Sequence, residues 1–402
     1  RKAQNLRKMI GVREAIEGAP HLRKAPCQFG WDWGPKLPAI GIWKDIRLEG
    51  RSTARIEDIY IRQKHESDVV VIETEIKIEK WEERECEAHL LISSPNGQET
   101  YEASTKIDVN LSTLKAKIEN PLLWWPNGLG EQNLYQISIK LLCDDITLDE
   151  KDYKVGLRRI ELVQEEDEFG KSFQFVVNDI PIFAKGSNWI PADSFINRFS
   201  DARLEKLIAD AAAGHQNMLR VWGGGFYEED RFYDLCDQYG LLVWQDFIFS
   251  CSIYPMDKPD FIENVRVEAE ENIKRLRHRA SLALWCGNNE MEAGWENWGW
   301  AKHPLEDQIS NLAEQFPVLR FLIDSVGPRE LLPDWEILKN AYDQFFHRTL
   351  PAWVDELDPD TPYWPSSPSS GTPFHNVDGH RQGDAHFWDV WHRNKPFKAY
   401  RN

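Results

Sequence analysis

The segment SLALWCGNNE ends an apolar run with three polar side chains, two amides and a carboxylate. Ser281 to Gly287 have the composition of a buried strand, and Asn288, Asn289 and Glu290 follow directly. A carboxylate that is buried without a partner is very costly, so this strand end must face either solvent or a substrate. A glutamate held in a pocket can give or take a proton, which makes Glu290 a candidate general acid or base.

Polar or aromatic residues also follow four other apolar segments. They are Asn188 and Trp189, Arg220 and Trp222, Gln245 and Asp246, and Ser366 and Ser367. In barrel enzymes the carboxyl ends of the strands form the rim that carries the chemistry, so we expect these residues to share one pocket with Glu290. Asp246 is the other carboxylate of this set, and we interpret it as a buried partner for rim arginines.

From about residue 161 the chain alternates strand and helix patterns. The strand segments are PIFAKGSNWIP, NMLRVWGGG, LLVWQDF, SLALWCGNNE and TPYWPSSPS. Helical patterns cover 201–214, with Asp201 as the predicted cap, 228–239, which stops at Gly240, and also 260–279 and 334–357. Successive strand–helix units predict a parallel sheet, and their number favours a (β/α)8 TIM barrel over a doubly wound sheet. No GxGxxG follows the first strand, so a dinucleotide cofactor is not indicated.

The residues before the barrel have a different pattern. Residues 51–160 alternate apolar and polar positions between turn signals, which is typical of a β-sandwich. Residues 1–50 hold a short basic helical segment and then GIWKDIRLEG, which we interpret as the last strand of a β domain.

Composition excludes several kinds of partner. The net charge of −18 argues against nucleic acid and anionic membranes and fits a neutral substrate. Eighteen tryptophans exceed what packing needs, and their flat faces suit sugar rings. The six cysteines are scattered without the spacing of a metal site, and we interpret them as small buried hydrophobic residues. One disulfide, such as Cys236 with Cys251, is kept as an alternative. No metal or cofactor is predicted.

Seven motifs in this order resemble the β-mannosidases of glycoside hydrolase family 2. They are FGWDWGP, GSNWIPADSF, LRVWGGGFYE, YGLLVWQDF, LWCGNNE, YWPSSPSSG and GDAHFWDVW. The resemblance implies a multidomain chain: the end of a jelly-roll sugar-binding domain (1–50), an immunoglobulin-like β-sandwich (51–160), and a (β/α)8 catalytic barrel (161–402) that is incomplete before strand seven. It also implies cleavage of terminal non-reducing β-D-mannose from oligosaccharides with retention of configuration.

The resemblance also implies roles for single residues. Glu290 matches the general acid/base, Asn289 the asparagine that contacts the sugar 2-hydroxyl, and Asp32 an aspartate that reaches into the pocket to bind mannose hydroxyls. Arg220 matches an arginine that orients the nucleophile. The other predicted substrate-binding residues are Trp33, Asn188, Trp189, Trp222, Trp298, His386 and Trp388, with Trp295 and Trp300 as competitors of Trp298.

One departure from the family pattern concerns the nucleophile. The family's nucleophile is a second glutamate in a motif like SEFG, and the chain has no such motif. We therefore expect a fragment that is truncated at both ends and inactive by itself. Two other hypotheses are kept: a glycan-binding protein without catalysis, and another specificity of the same family, such as β-galactosidase or β-glucuronidase. The compartment, the oligomeric state and the choice between N-glycan core and mannan fragments are not indicated.

Overall fold

Four sheets organise the chain. The computed structural model describes residues 9, 11–12, 15–42, 44–107, 111–300 and 335–401. Two antiparallel sheets lie between residues 54 and 155, a small antiparallel sheet lies between 160 and 182, and a parallel sheet lies between 186 and 364.

The first two sheets pack face to face as a sandwich. One has the order β1-β2-β5 and the other β4-β3-β6-β7, all antiparallel. Alternate residues such as Val70, Ile72, Ile76 and Ile78 are buried in one shared core, as the period of two predicts. The strands are β1 (Ala54–Glu66), β2 (Val69–Lys80), β3 (Cys86–Ser93), β4 (Thr100–Lys106), β5 (Leu111–Glu119), β6 (Tyr135–Cys143) and β7 (Ile146–Val155).

A disulfide crosslinks this sandwich. Cys86 and Cys143 are directly opposed at the ends of β3 and β6, and their sulfurs are bonded. The suggested pairing of Cys236 with Cys251 is wrong, since both are free thiols. The real pair joins residues 57 positions apart, and only the strand register brings them together.

The described residues among the first 50 form little regular structure. Two short 3₁₀ turns, Ala19–His21 and Pro26–Phe29, are present. The strand predicted at GIWKDIRLEG does not form: its described residues are irregular and exposed. No described strand pairs with their backbone groups, and an unpaired strand is not stable in water. The basic helical segment falls mostly outside the described residues.

A small sheet follows the sandwich in the sequence and packs against the parallel sheet. It has the order β10-β9-β8 and consists of β8 (Ile160–Val163), β9 (Gln174–Val177) and β10 (Ile180–Ile182). Phe175, Val177 and Ile182 pack in one cluster with Leu242 and Leu284 of the parallel strands. The segment PIFAKGSNWIP, predicted as one strand, therefore contributes to two sheets, β10 here and β11 in the parallel sheet.

The parallel sheet runs in sequential order, β11-β12-β13-β14-β15. β14 is buried at every residue, as expected for a strand covered on both faces. The sheet and helices share one large core, which includes Leu219, Val243, Phe232 and Ile273. The strands are β11 (Gly186–Trp189), β12 (Met218–Val221), β13 (Leu242–Asp246), β14 (Leu282–Cys286) and β15 (Tyr363–Trp364).

In the described part of the chain, six α-helices alternate with or follow these strands. They are α1 (Asp201–Ala213), α2 (Asp230–Tyr239), α3 (Pro259–Leu276), α4 (Met291–Glu296), α5 (Trp335–Gln344) and α6 (Leu350–Leu357), with a π-helical turn, Phe345–Thr349, between the last two. The predicted cap of α1 is wrong by one residue, because the Ser200 hydroxyl accepts the Arg203 N–H and Asp201 is already helical. The predicted stop of α2 is confirmed: Gly240 has a φ of 70°, and a Cβ there would lie 2.5 Å from the Asn127 nitrogen.

The sandwich and the helical layer are joined by Arg277, just after α3. Its guanidinium donates to the Ile59 carbonyl at 2.7 Å and to the Asp58 carboxylate at 2.8 Å, both on β1. No helix among the described residues is long and apolar enough to cross a bilayer. The domain limits at 50/51 and 160/161 stay a prediction.

Candidate active site

Glu290 lies at the turn between β14 and α4. Its φ of 59° places it in the left-handed region, which is costly for a residue with a side chain and is common where function requires it. The turn is held from both sides: the Glu290 N–H donates to the Ser367 carbonyl at 2.8 Å, and the Asn289 N–H donates to the Phe249 carbonyl at 2.9 Å. The strand end is thus neither core nor free loop.

Four side chains form hydrogen bonds to the Glu290 carboxylate. His386 Nδ1 lies 2.8 Å and Trp388 Nε1 3.2 Å from Oε1. The Cys251 thiol and the Asn289 amide each lie 3.3 Å from Oε2. Burial raises the pKa of this carboxyl, but the hydrogen bond and charge of His386, followed by Cys251 and Trp388, outweigh it and lower the pKa to about 2. The side chain keeps 14% exposure, so a ligand can still reach it.

Arg220 at the end of β12 connects three neighbouring strand ends. It donates to Asp246 from Nε and Nη2, at 3.2 and 2.8 Å. It also donates to the side-chain amide oxygens of Asn289, at 3.0 Å, and Asn188, at 3.3 Å. Because the Asn289 oxygen is held by Arg220, its NH₂ group points toward Ser250, Cys251 and Glu290.

Asp246 is fully buried under Arg220. Its oxygens accept from Arg220, from Trp244 Nε1 at 3.0 Å and from the Gly223 N–H at 2.9 Å. The interpretation of Asp246 as a buried partner of a rim arginine is confirmed. Each of the two Asp246 oxygens already accepts two hydrogen bonds. Neither oxygen is therefore free to attack a substrate.

His386 is the centre of a second polar group. Its Nε2 lies 3.0 Å from the Ser367 hydroxyl, which donates to Asp384 Oδ2 at 2.6 Å. Asp384 Oδ1 accepts from Trp364 Nε1 at 2.7 Å and from the Ser369 N–H at 3.0 Å. The His386 backbone N–H donates to Asp378. The histidine ring is therefore fixed from both ends and from its backbone.

The WDWG segment reaches the same rim through its tryptophans. Trp31 and Trp33 contact Trp222 edge to face, with ring centroids 4.7 and 5.8 Å apart. The Cys27 N–H donates to the Gly224 carbonyl at 2.9 Å, which anchors the segment beside the rim. Asp32 between the two rings is exposed and forms no hydrogen bond to the described residues.

Two predicted aromatic residues differ from the rest. Trp189 turns its indole N–H to Glu228 at 2.9 Å and packs on Phe232, so the structure places it in the helical layer and not beside Glu290. Trp298 is 47% exposed, whereas its competitors Trp295 and Trp300 are core residues. Of the three tryptophans, Trp298 is the one available to a ligand.

The structure brings together six of the predicted residues: Asn188, Arg220, Asn289, Glu290, His386 and Trp388. Sequence reasoning missed Cys251 and gave no role to Ser367 and Asp384. Cys251 lies five residues past β13, beyond the strand end where a signal was sought. Among the described residues, no group of three or more His, Cys, Asp or Glu could hold a metal ion.

The predicted absence of a nucleophile stays a prediction. The nearest tetrapeptide to SEFG in the chain is DEFG, and its Glu168 is exposed in a turn between β8 and β9 that Asp167 closes. In the described part of the chain, Glu290 forms hydrogen bonds to neutral or basic groups and to no second carboxylate.

Two family profiles match the chain. Glycosyl hydrolases family 2 matches residues 54–158, which hold the sandwich. The galactose-binding domain-like family of glycosyl hydrolase 2 matches residues 1–44.

Curated relatives match most of the chain. Beta-mannosidase B of Emericella nidulans is 36% identical over 376 residues, covering 92% of this chain and 41% of the relative. Beta-mannosidase B of Thermothelomyces thermophilus is 37% identical over 377 residues, covering 92% of this chain and 40% of the relative. The chain thus spans about two fifths of the length of these relatives.

A solved structure extends the similarity to the fold. The crystal structure of beta-D-mannosidase from Dictyoglomus thermophilum matches with a TM-score of 0.83 and 36% identity, covering 99% of this chain and 45% of that one. The Parabacteroides merdae beta-glucuronidase matches with a TM-score of 0.50 at 17% identity, which shows a common fold alone.

Proposed function

The chain belongs to the glycosyl hydrolases of family 2, and from that premise we propose that the whole protein is a retaining exo-β-mannosidase. It would remove terminal non-reducing β-D-mannose from oligosaccharides. The similarity to beta-mannosidases over 92% of the chain supports this choice within the family. The proposed partner is a β-mannoside oligosaccharide.

The observation that carries the proposal is the position of Glu290. It lies at the carboxyl end of a parallel strand, on a strained turn, with partial exposure and four hydrogen-bonding side chains around its carboxylate. A side chain fixed in this way keeps one orientation toward a bound glycosidic oxygen, which general acid catalysis requires. We assign Glu290 the acid/base role.

The chemistry needs a second carboxylate. In a retaining glycosidase the two carboxyl groups are about 5–5.5 Å apart. Glu290 protonates the leaving oxygen while the second group attacks the anomeric carbon, and Glu290 then removes a proton from the water that releases the sugar. We propose that this nucleophile is a glutamate in an SEFG-like motif of the whole protein, as the family resemblance implies.

The catalytic domain is proposed to be a (β/α)8 barrel. Five parallel strands in sequential order, with helices between them, support this architecture. The rim residues lie at the carboxyl ends of β11, β12 and β14 and in the loops after β13 and β15, as barrel active sites do.

Sugar recognition is proposed for the aromatic and polar residues of the rim. Trp33, Trp298 and Trp388 are exposed and offer ring faces or edges, and Asp32 is an exposed carboxylate next to Trp33 in the sequence. Trp222 is buried and supports Trp33 through an edge-to-face contact. A neutral sugar suits a chain with a net charge of −18 better than an anionic glucuronide does.

A panel of aryl glycosides tests the proposal. The whole protein is expected to hydrolyse aryl β-mannoside and to leave β-galactoside and β-glucuronide largely intact. Glu290→Gln is the test variant, and Glu296→Gln, at an exposed position on the same helix, is the matched control. Sugar binding without hydrolysis would support the glycan-binding alternative, and preference for another glycoside would support another specificity.

A further inference from the structure

A chain of three hydrogen bonds leads from Glu290 into the protein. Glu290 Oε1 lies 2.8 Å from His386 Nδ1, His386 Nε2 lies 3.0 Å from the Ser367 hydroxyl, and that hydroxyl lies 2.6 Å from Asp384 Oδ2. Ser367 is 2% exposed, so solvent does not compete for these contacts. The chain joins a rim carboxylate to a second carboxylate through one imidazole and one hydroxyl.

The direction of these bonds follows from the number of hydrogens available. Asp384 receives three donors, namely Trp364 Nε1–H, the Ser369 N–H and the Ser367 hydroxyl. Burial raises the pKa of Asp384 above its ordinary value, and the charge of His386 and the hydrogen bonds from Ser367 and Trp364 offset only part of that rise. The three donors suit the ionised form. An ionised carboxylate only accepts, so it takes the single hydrogen of Ser367.

The tautomer of His386 is then determined. The Ser367 oxygen has no further hydrogen to give, so it must accept one from His386 Nε2. A neutral His386 therefore carries its hydrogen on Nε2 and presents a lone pair on Nδ1 to Glu290. The partner on one ring nitrogen decides the state of the other.

We propose that Ser367 and Asp384 are positioning residues that hold His386 in the Nε2–H form, so that Glu290 and His386 Nδ1 retain one shared proton for the reaction. The proposal rests on the acid/base role proposed for Glu290. If both groups lost that proton, a lone pair would face a carboxylate at 2.8 Å. That arrangement is repulsive, so the 2.8 Å contact requires one proton between Glu290 and His386 Nδ1.

The proton balance holds over both steps. In the first step the second carboxylate bonds to the anomeric carbon while the glycosidic bond breaks, and the leaving oxygen keeps the electron pair of that bond and takes the shared proton from Glu290. The Glu290–His386 pair is then one proton short. In the second step water attacks the anomeric carbon, the bond to the second carboxylate breaks, and Glu290 takes a proton from that water, which restores the shared proton. No oxidant, reductant or other reactant is needed.

The surrounding groups do not replace this pair. Burial raises the pKa of the Cys251 thiol well above its ordinary range, so Cys251 stays a neutral donor on Glu290 Oε2. Arg220 reaches the site through Asn289 and stays charged. Asp378 accepts the His386 backbone N–H, and Trp388 donates to Glu290 without titrating.

Asp384→Asn is the sharpest test, because it exchanges donor and acceptor in the hydrogen bond between Ser367 and residue 384. The Oδ1 position faces two N–H donors, so the amide NH₂ cannot lie there and must replace Oδ2. It then donates to Ser367, which turns its hydroxyl hydrogen to His386 Nε2. His386 is forced into the Nδ1–H form and donates to an ionised Glu290 without needing the shared proton.

The measurement is the pH profile of kcat/KM for an aryl β-mannoside with a poor leaving group, using the whole protein. The alkaline limb is expected to move to lower pH by about one unit or more, and kcat/KM at neutral pH to fall by about 10²-fold, within the range of general acid catalysis. Ser367→Ala should move the limb in the same direction, and Ser367→Thr should restore it. Asp389→Asn on the same segment, where Asp389 pairs with Arg393 and Lys395, is the matched control.

The outcomes distinguish a failure of the positioning role of Ser367 and Asp384 from a failure of the proposed activity. A uniform loss of activity with an unmoved alkaline limb in both Asp384→Asn and Ser367→Ala would overturn the proposal. Wild-type protein without β-mannosidase activity would instead overturn the proposed function. The tautomer of His386 is then measured by ¹⁵N NMR of labelled imidazoles, with the His386 signal identified by its loss in His386→Gln. Nε2–H in the wild type and Nδ1–H in Asp384→Asn would support the positioning role. The same tautomer in both proteins would overturn it.

Discussion

Arg220 Nη2 donates to the side-chain amide oxygen of Asn289 at 3.0 Å, and this contact decides which way the Asn289 side-chain amide faces. With its oxygen on Arg220, Asn289 turns its NH₂ group to Glu290. The same guanidinium neutralises the fully buried Asp246. One arginine thus links a buried ion pair to the orientation of the candidate acid/base.

The ion pair leads to a stability prediction. Arg220→Met leaves the Asp246 carboxylate buried without a cation, which typically costs about 3–5 kcal/mol. The melting temperature of the whole protein should fall clearly in this variant. Arg220→Met with Asp246→Asn should recover part of the loss, because the uncompensated charge is gone. Equal melting temperatures for wild type and Arg220→Met would show that Asp246 is not charged or not buried.

Glu290→Gln should affect substrates according to their leaving groups. An activated aryl mannoside needs little protonation of its leaving oxygen, whereas an oligosaccharide needs much. Steady-state kinetics should therefore show a loss of about 10²–10⁴-fold for poor leaving groups and a much smaller loss in the first step for activated ones. Glu296→Gln should match the wild type with both substrates. An equal loss for both classes in Glu290→Gln would count against the acid/base role.

Asp32→Ala should weaken mannoside turnover. Asp32 is exposed between Trp31 and Trp33, which contact the rim residue Trp222. Its carboxylate can form charge-assisted hydrogen bonds to sugar hydroxyls, each typically worth about 1.5–3 kcal/mol. A fall in kcat/KM of about 10-fold or more is expected, with unchanged melting temperature, since Asp32 has no hydrogen bond to lose within the described residues. Asp45→Ala, at another exposed position of the same N-terminal region, is the control. Wild-type kinetics in a folded Asp32→Ala protein would remove Asp32 from the site.

Residues 1–402 by themselves should show no measurable β-mannosidase turnover. The proposed reaction needs two carboxylates, and general acid catalysis alone supplies only about 10²–10⁴-fold. The measurement is aryl β-mannoside hydrolysis by the purified monomeric chain. Rates typical of intact enzymes would mean that a carboxylate of this chain acts as nucleophile, and Asp246 and Asp384 would be the first to test by substitution. The donors on both oxygens of each make that outcome unexpected.

Sequence reasoning worked where the signal is local. The apolar run before Glu290 and the residue Gly240 after α2 each determine a strand or helix end from a few neighbouring residues. It failed where the answer depends on pairing across the chain. Cys86 and Cys143 meet only through the register of β3 and β6, and the described residues of GIWKDIRLEG form no strand, since no described strand pairs with them.

The candidate site divides in the same way. Asn289 and Glu290 are adjacent in sequence, and the motif identifies both. Cys251 lies in the loop after β13 and Asp384 in the long segment after β15, and no spacing in the sequence relates these two to Glu290. Ser367 is predicted at the rim by its position near the end of the fifth strand segment, but its contact with His386 is not. Trp189 carried the same strand-end signal as Asn188, but successive residues of a strand point to opposite faces, and Trp189 points to the helical layer.

The stereochemistry of the first sugar released tests the central claim most directly. The whole protein is incubated with an aryl β-mannoside, and the anomeric protons of the product are followed by NMR from the first minutes, before mutarotation. A retaining exo-β-mannosidase with Glu290 as acid/base releases β-mannose first, with the α-anomer growing only later. Release of α-mannose first, or no release of mannose from a correctly folded whole protein, would contradict the account.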